Sequence, residues 1–387
     1  MATTATVTPG DSSGLFEVTA TGGGMVVERT AIVLGDVDDA WGQPELVRGL
    51  VNTPGWEDGA SIAPDGQTLL LQYLPVGIAC LNGSDAGSSA CDVVGPTEAP
   101  ERPNMPGQER VRPDHTFEDG CPSLGLDPLP SSIIVPPVAE WAFTRQPDGS
   151  FAQPRPVFYD GADGCFSSFG LMFVPGGSGD VAWAFDSPLP GGTGPKLHAA
   201  TLALDAPTPL GVFGIDAGGG LELAQQPGAQ LELGETGSEG NPYVAVGSDG
   251  RRLVIFDDET GRRDLMFAQE TAPGANTWTA VQTIPAPVSD PVAQESQPFL
   301  DGTNLVFRRE LAILQAAWTG GPMQDAASWA TPTTLLGPDA DPSVGHVIVV
   351  GEPSIATTAA GRELYFIYGQ VVGPNDVDLG VGVVHAR

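Results

Sequence analysis

Lysine is almost missing from this chain. Lys196 is the only one, and 16 basic side chains stand against 48 acidic ones in 387 residues, a formal net charge of −32. Phosphate binding needs a basic surface, so a general nucleic-acid role is excluded. The charge keeps the molecule soluble and self-repelling, which points to a monomer. It fits an acidic solvated surface, or selection for a cationic partner. No apolar run is long enough to span a membrane, and no stretch holds a helical period. Cysteine is sparse too: Cys80, Cys91, Cys121 and Cys165 show no Cys-x-x-Cys spacing, and His115, His198, His346 and His385 are scattered. A zinc site of Cys and His is therefore not expected.

The even cysteine count, confined to one region, predicts two disulfides in an exported protein, Cys80 with Cys91 and Cys121 with Cys165. A secreted or periplasmic location follows, and the first residues, which have no basic or apolar leader, then imply a signal already removed. Free thiols in a cytoplasmic protein are the alternative.

Glycine and proline are abundant instead, 52 and 37, about a quarter of the chain, while hydrophobic residues make up 41%. Regular strand signals place these residues in turns rather than in disorder. One phrase recurs. Its clearest copy runs Trp41-Gly-Gln-Pro44, Val51-Asn-Thr-Pro54, Glu57-Asp58, Ser61-Ile-Ala-Pro-Asp-Gly66, then Thr68-Leu-Leu-Leu-Gln-Tyr73. Weaker copies follow at 150–185, 239–256, 278–307 and 329–367. Asp-Gly between two apolar runs is a hairpin turn, because Asp tolerates the left-handed region and Gly prefers it. The runs themselves have the length of buried strands.

The phrase resembles the WD40-like repeat of TolB-type propellers. The resemblance implies an all-β fold, a single β-propeller over residues 1–387, and says little of function, since such propellers serve as platforms, scaffolds and sometimes enzymes. The copies predict five blades, with the N-terminal residues completing the last one. Six is the alternative, because residues 15–33 read as a further hairpin. Residues 84–130 interrupt the repeat as a loop insertion within a blade. They carry Arg102, Arg110, Arg112 and His115, candidates to bind a carboxylate or phosphate from a cap over the central opening. A decorated surface loop is the plainer alternative.

An acid precedes the first strand of each copy: Glu57 with Asp58, Asp163, Glu239, Glu295 and Glu352. Innermost strands line the axis, so these acids are expected to converge at one end of the channel. Converging carboxylates would work as acid and base, since like charges push one pKa up. They would equally hold Ca²⁺ or an amine, or belong to the repeat's own hydrogen bonding. Asp36-Val-Asp-Asp39, Asp257-Asp-Glu259, Asp339-Ala-Asp341 and Asn375-Asp-Val-Asp378 are further calcium candidates, but none has an EF-hand pattern. Two function classes stay open. One is a binding propeller that takes a ligand, glycan or protein at the channel mouth. The other is a glycan-active hydrolase using two axial acids.

Overall fold

The structure is a computed structural model and describes residues 13–22, 25–52, 56–74, 139–159, 169–175, 180–185, 196–202, 204, 221–224, 231, 233–234, 239–258, 262–373 and 376–387. The insertion at 84–130, all four cysteines and Asp163 lie outside the described residues, and with them the disulfide pairing. Apart from a 3₁₀ turn at Ala326–Ser328, the regular structure described is strand. In chain order the strands are β1 (Gly14–Gly22), β2 (Met25–Val33), β3 (Asp36–Val37), β4 (Glu45–Leu46), β5 (Trp56–Ile62), β6 (Thr68–Leu74), β7 (Ala139–Arg145), β8 (Phe151–Tyr159), β9 (Phe169–Phe173), β10 (Asp180–Phe185), β11 (Lys196–Leu202) and β12 (Leu221–Ala224). They continue with β13 (Glu239–Val246), β14 (Arg252–Asp258), β15 (Leu265–Gln269), β16 (Gln282–Thr283), β17 (Glu295–Asp301), β18 (Asn304–Arg309), β19 (Ala312–Ala317), β20 (Thr333–Gly337), β21 (Val347–Thr358), β22 (Gly361–Gly373) and β23 (Asp376–His385).

Among the described residues these strands pair into four sheets. One runs β5-β6-β7-β8-β12-β11-β10-β9, two antiparallel units joined by the parallel β8–β12 pairing. The others run β13-β14-β15-β16, then β17-β18-β19-β20-β3, then β1-β2-β4-β23-β22-β21. The first strands pack on one another in sequence, β5 on β9, β9 on β13, β13 on β17, β17 on β21, and β21 back on β5. The result is a propeller-like ring of sheets with those strands innermost.

The N-terminal segment closes the ring. Glu45 and Leu46 of β4 pair with Val383 and Gly382 of β23, and β3 adds to β20 through Val37 and Leu336. The β1–β2 hairpin does not form a sheet of its own; it extends the outer edge of the last sheet through β4. The three Asp-Gly pairs sit at the turns of β5–β6, β13–β14 and β17–β18, with Gly66, Gly250 and Gly302 at φ of 71°, 78° and 61°.

The second strands lie between two packed faces and so are apolar on both. Leu69, Leu70 and Leu71 are all fully buried, as are Leu305 and Phe307. The cores are wedges between neighbouring sheets. Tyr243 meets Phe299 at 4.9 Å between centroids, and Phe151 meets Tyr365 at 6.0 Å. At the closure, Asn52 donates to the carbonyls of Val47 and Val381 and accepts the Val381 N–H.

Gly382, paired with Leu46 at this closure, has no room for a Cβ: the atom would overlap the Phe366 ring and Ile32 Cδ1. Gly382→Ala is expected to lower stability by about 1–3 kcal/mol through overpacking. Its urea midpoint should fall further than that of Gly373→Ala, whose Cβ would make only an ordinary 3.7 Å contact with Asp376 Cβ. Equal midpoints would contradict this account of the seam.

Candidate functional site at the axial mouth

Four innermost strands share a register break, and β21 has a further one between Val347 and Val349. The shared breaks fall between Asp58 and Ser61, Gly240 and Tyr243, Ser296 and Phe299, and Gly351 and Ser354. A left-handed residue sits in each shared break: Gly59 at φ 63°, Asn241 at 40°, Gln297 at 54° and Glu352 at 54°. The last three precede prolines 242, 298 and 353. A residue before proline is disfavoured in the right-handed region, and proline brings no N–H to the ladder, so the strand bulges there. Each non-glycine residue pays about 1 kcal/mol or more for that conformation.

Two residues further on, a side chain ties three of these strands to a neighbour. Ser354 Oγ accepts the Ile62 N–H at 3.0 Å, Ser61 Oγ accepts the Phe173 N–H at 2.9 Å, and the Tyr243 hydroxyl donates to the Leu300 carbonyl at 2.6 Å. The bulge residues therefore meet around one small axial cavity, partly open to solvent. It is lined by Gly59, Met172, Asn241, Gln297 and Glu352 with two prolines, so every innermost strand contributes.

Glu352 is the hub. Its Oε2 accepts the Gly59 N–H, its Oε1 accepts Gln297 Nε2 at 3.0 Å, and its own N–H donates to Gln297 Oε1 at 2.9 Å. Asn241 Nδ2 donates to Asp257 Oδ2 at 3.2 Å. Asp58 hydrogen-bonds to the Glu352 carboxyl, and burial drives both carboxyls above their ordinary range, Glu352 further because the Asp58 charge adds to it. Two carboxyls this close cannot both ionise cheaply and hold one proton between them. Arg308, on β18, lies near enough to favour the ionised form of each.

The other acids expected here go elsewhere. Glu57, Glu239 and Glu295 share one register position, are at most 2% exposed, and do not line the cavity. Glu239 accepts the Leu197 N–H at 3.1 Å; Glu295 accepts the Asp290 N–H at 3.2 Å and Arg309 Nε at 2.8 Å. Val350 holds their register in the last sheet, so Glu352 belongs with Asn241 and Gln297 and not with the acids it follows in sequence. The proline, not the acid, keeps the register. Asn241, Gln297 and Arg308 were missed by counting acids, although the polar-Pro dipeptide was there to find the first two.

Of the calcium candidates, three serve their own turns. Asp38 accepts the Ala40 N–H, Asp339 that of Asp341, and Asp341 that of Ser343, at 2.8, 2.9 and 3.0 Å, while Asp257 accepts from Asn241. Among the described residues no three His, Cys, Asp or Glu side chains are grouped to hold a metal ion.

No protein-family model matches the chain, and no curated protein matches it. Solved structures are similar in fold. One is a protein of unknown function from Dyadobacter fermentans DSM 18053, 12% identical, covering 90% of this chain and 100% of that one at a TM-score of 0.46. A thermostable family-43 glycoside hydrolase is 10% identical and covers 88% and 91% at 0.46. The NanB sialidase of Streptococcus pneumoniae is 11% identical and covers 94% and 62% at 0.37. These superpositions are loose, and none assigns a family or an activity.

A carboxyl whose folded pKa is raised contributes stability that is complete below its unfolded pKa and is lost as pH rises through the folded one. Glu352→Gln removes that titration while keeping a neutral hydrogen-bonding group. Its urea midpoint should therefore fall less than the wild type's as pH is raised from 4.5. Parallel curves would show that Glu352 ionises like an ordinary surface acid.

Proposed function

We propose that this chain is a glycan-binding propeller whose site is the axial mouth. The observation that carries it is the meeting of Asn241, Gln297 and Glu352, three polar residues held at positive φ, around one small cavity, with Asp58 hydrogen-bonded to Glu352. Strained polar backbone positions concentrate at functional sites. A carboxyl pair with one proton both donates and accepts, as amides do, and sugar hydroxyls need both. Met172 and the two prolines supply an apolar floor. A protein partner would need a broader surface than this cavity offers. The ring is proposed as five blades, one per inner hairpin, of the TolB-like kind that the repeat phrases resemble, with the eight-stranded sheet counted as two at β8–β12. The even cysteine count supports an exported location.

A second possibility, glycoside hydrolysis, is favoured by one feature: burial and the Asp58 charge raise the Glu352 carboxyl well above its ordinary range, the direction a general acid requires. The contact between Asp58 and Glu352 opposes it, because catalytic carboxyls stand about 5–5.5 Å apart in retaining enzymes and about 6.5–9.5 Å in inverting ones. Hydrolysis would require the pair to separate around a bound glycan.

A glycan array followed by product analysis on every bound glycan separates these. Binding by the wild type, weakened in Asn241→Ala and Gln297→Ala and with no product released, is the expected result. Product that disappears by a factor of about 10²–10⁴ in Glu352→Gln, with binding kept, would make the chain a hydrolase. No binding to any glycan by a folded protein would overturn both.

A further inference from the structure

Arg308 stands apart from most of the described arginines of this acidic chain. Most described arginines are taken up by carboxylates, as its neighbour Arg309 is by Glu295 and Arg252 is by Glu270, both at 2.8 Å. Arg308 has two carboxyls nearby, yet Asp58 and Glu352 bond to each other and to groups on β5 and β17. Its sole hydrogen bond among the described residues runs from Nε to the Glu310 carbonyl at 2.6 Å. The two terminal nitrogens of the fork are uncommitted.

Its stem is fixed beside the site. A Cβ on Gly351 would lie 3.1 Å from Arg308 Cδ and 2.7 Å from Gln297 Oε1, so the missing side chain at 351 makes room for both. The Nε bond and this contact fix the Arg308 stem beside Gly351, next to Gln297 and Glu352, which line the cavity. A planar fork with two free donors matches a carboxylate in bidentate fashion.

We infer that Arg308 is a specificity residue that selects a carboxylate-bearing sugar, of the uronic-acid class, at the axial mouth. The inference rests on the glycan-binding proposal and sharpens it: hydroxyls go to the Asp58–Glu352 pair and the amides, the carboxylate to Arg308. The chain's own charge does not forbid this. At physiological ionic strength charges more than about 8 Å apart are largely screened, so the contact with Arg308 outweighs the distant acids.

The test is calorimetric binding of three probes to the full chain: a neutral oligosaccharide, its uronate counterpart of the same linkage, and a sugar phosphate. The wild type should prefer the uronate over the neutral oligomer by about tenfold or more, and Arg308→Met should bring that ratio to near one, with Arg308→Lys between them. A neutral oligomer bound as well as the uronate, with an unchanged ratio in Arg308→Met, would overturn the inference and leave the glycan site standing. A preference for the phosphate over the uronate would overturn the carboxylate assignment. Failure of the folded wild type to bind any of the three would overturn the inference together with the proposal beneath it.

Discussion

The bulge at the start of the innermost strands is the constraint on which the rest of the structure hangs. Each strand must turn its polar groups toward the axis at one point and still present apolar faces to both neighbouring sheets further along. Alternation alone cannot do this, because a strand's side chains keep a period of two. A left-handed residue at 59, 241, 297 or 352 slips the register, and at 61, 243 and 354 the residue two places on then bonds to a neighbouring strand. The same slip that makes the axial cavity makes the bonds that hold the ring around it.

Away from the mouth, arginines and backbone N–H groups clamp several carboxylates, although burial still raises Glu295 beside Arg309. Glu270 has no exposed side-chain surface; burial pushes its pKa up, but Arg252 and the Asn276 and Arg252 N–H groups outweigh that and bring it to about 2. Glu363 is held by both arms of Arg145 and by the Tyr365 hydroxyl. At the mouth the balance reverses, because Asp58 and Glu352 face each other with Arg308 set back from both, and a proton is the cheaper neutraliser.

Much of the fold was legible from the chain. The Asp-Gly turns, the unalternating Leu69–Leu71 run and the N-terminal strand needed to complete the last sheet all depend on local chemistry that the sequence carries openly. The site was legible only in part. Glu352 and Asp58 were both singled out as acids before a first strand, but Glu352 was set in the series of Glu57, Glu239 and Glu295. That series keeps its register by burial between sheets, whereas Glu352 keeps its own by the proline that follows it. Asn-Pro, Gln-Pro and Glu-Pro are one structural word with three spellings. Gln153, also left-handed and also before a proline, spells it again in β8. Arg308 had no sequence signal, since its place depends on the missing side chain of Gly351 across the sheet boundary.

A proton shared between Asp58 and Glu352 at neutral pH is the central claim. Infrared difference spectroscopy of the wild type against Glu352→Gln at pH 7 tests it directly, because a protonated carboxyl absorbs apart from a carboxylate. The account requires a protonated-carboxyl band in the wild type that the variant lacks. A difference spectrum showing only loss of a carboxylate would mean that both acids are ionised, and that the axial mouth is an ordinary acidic surface.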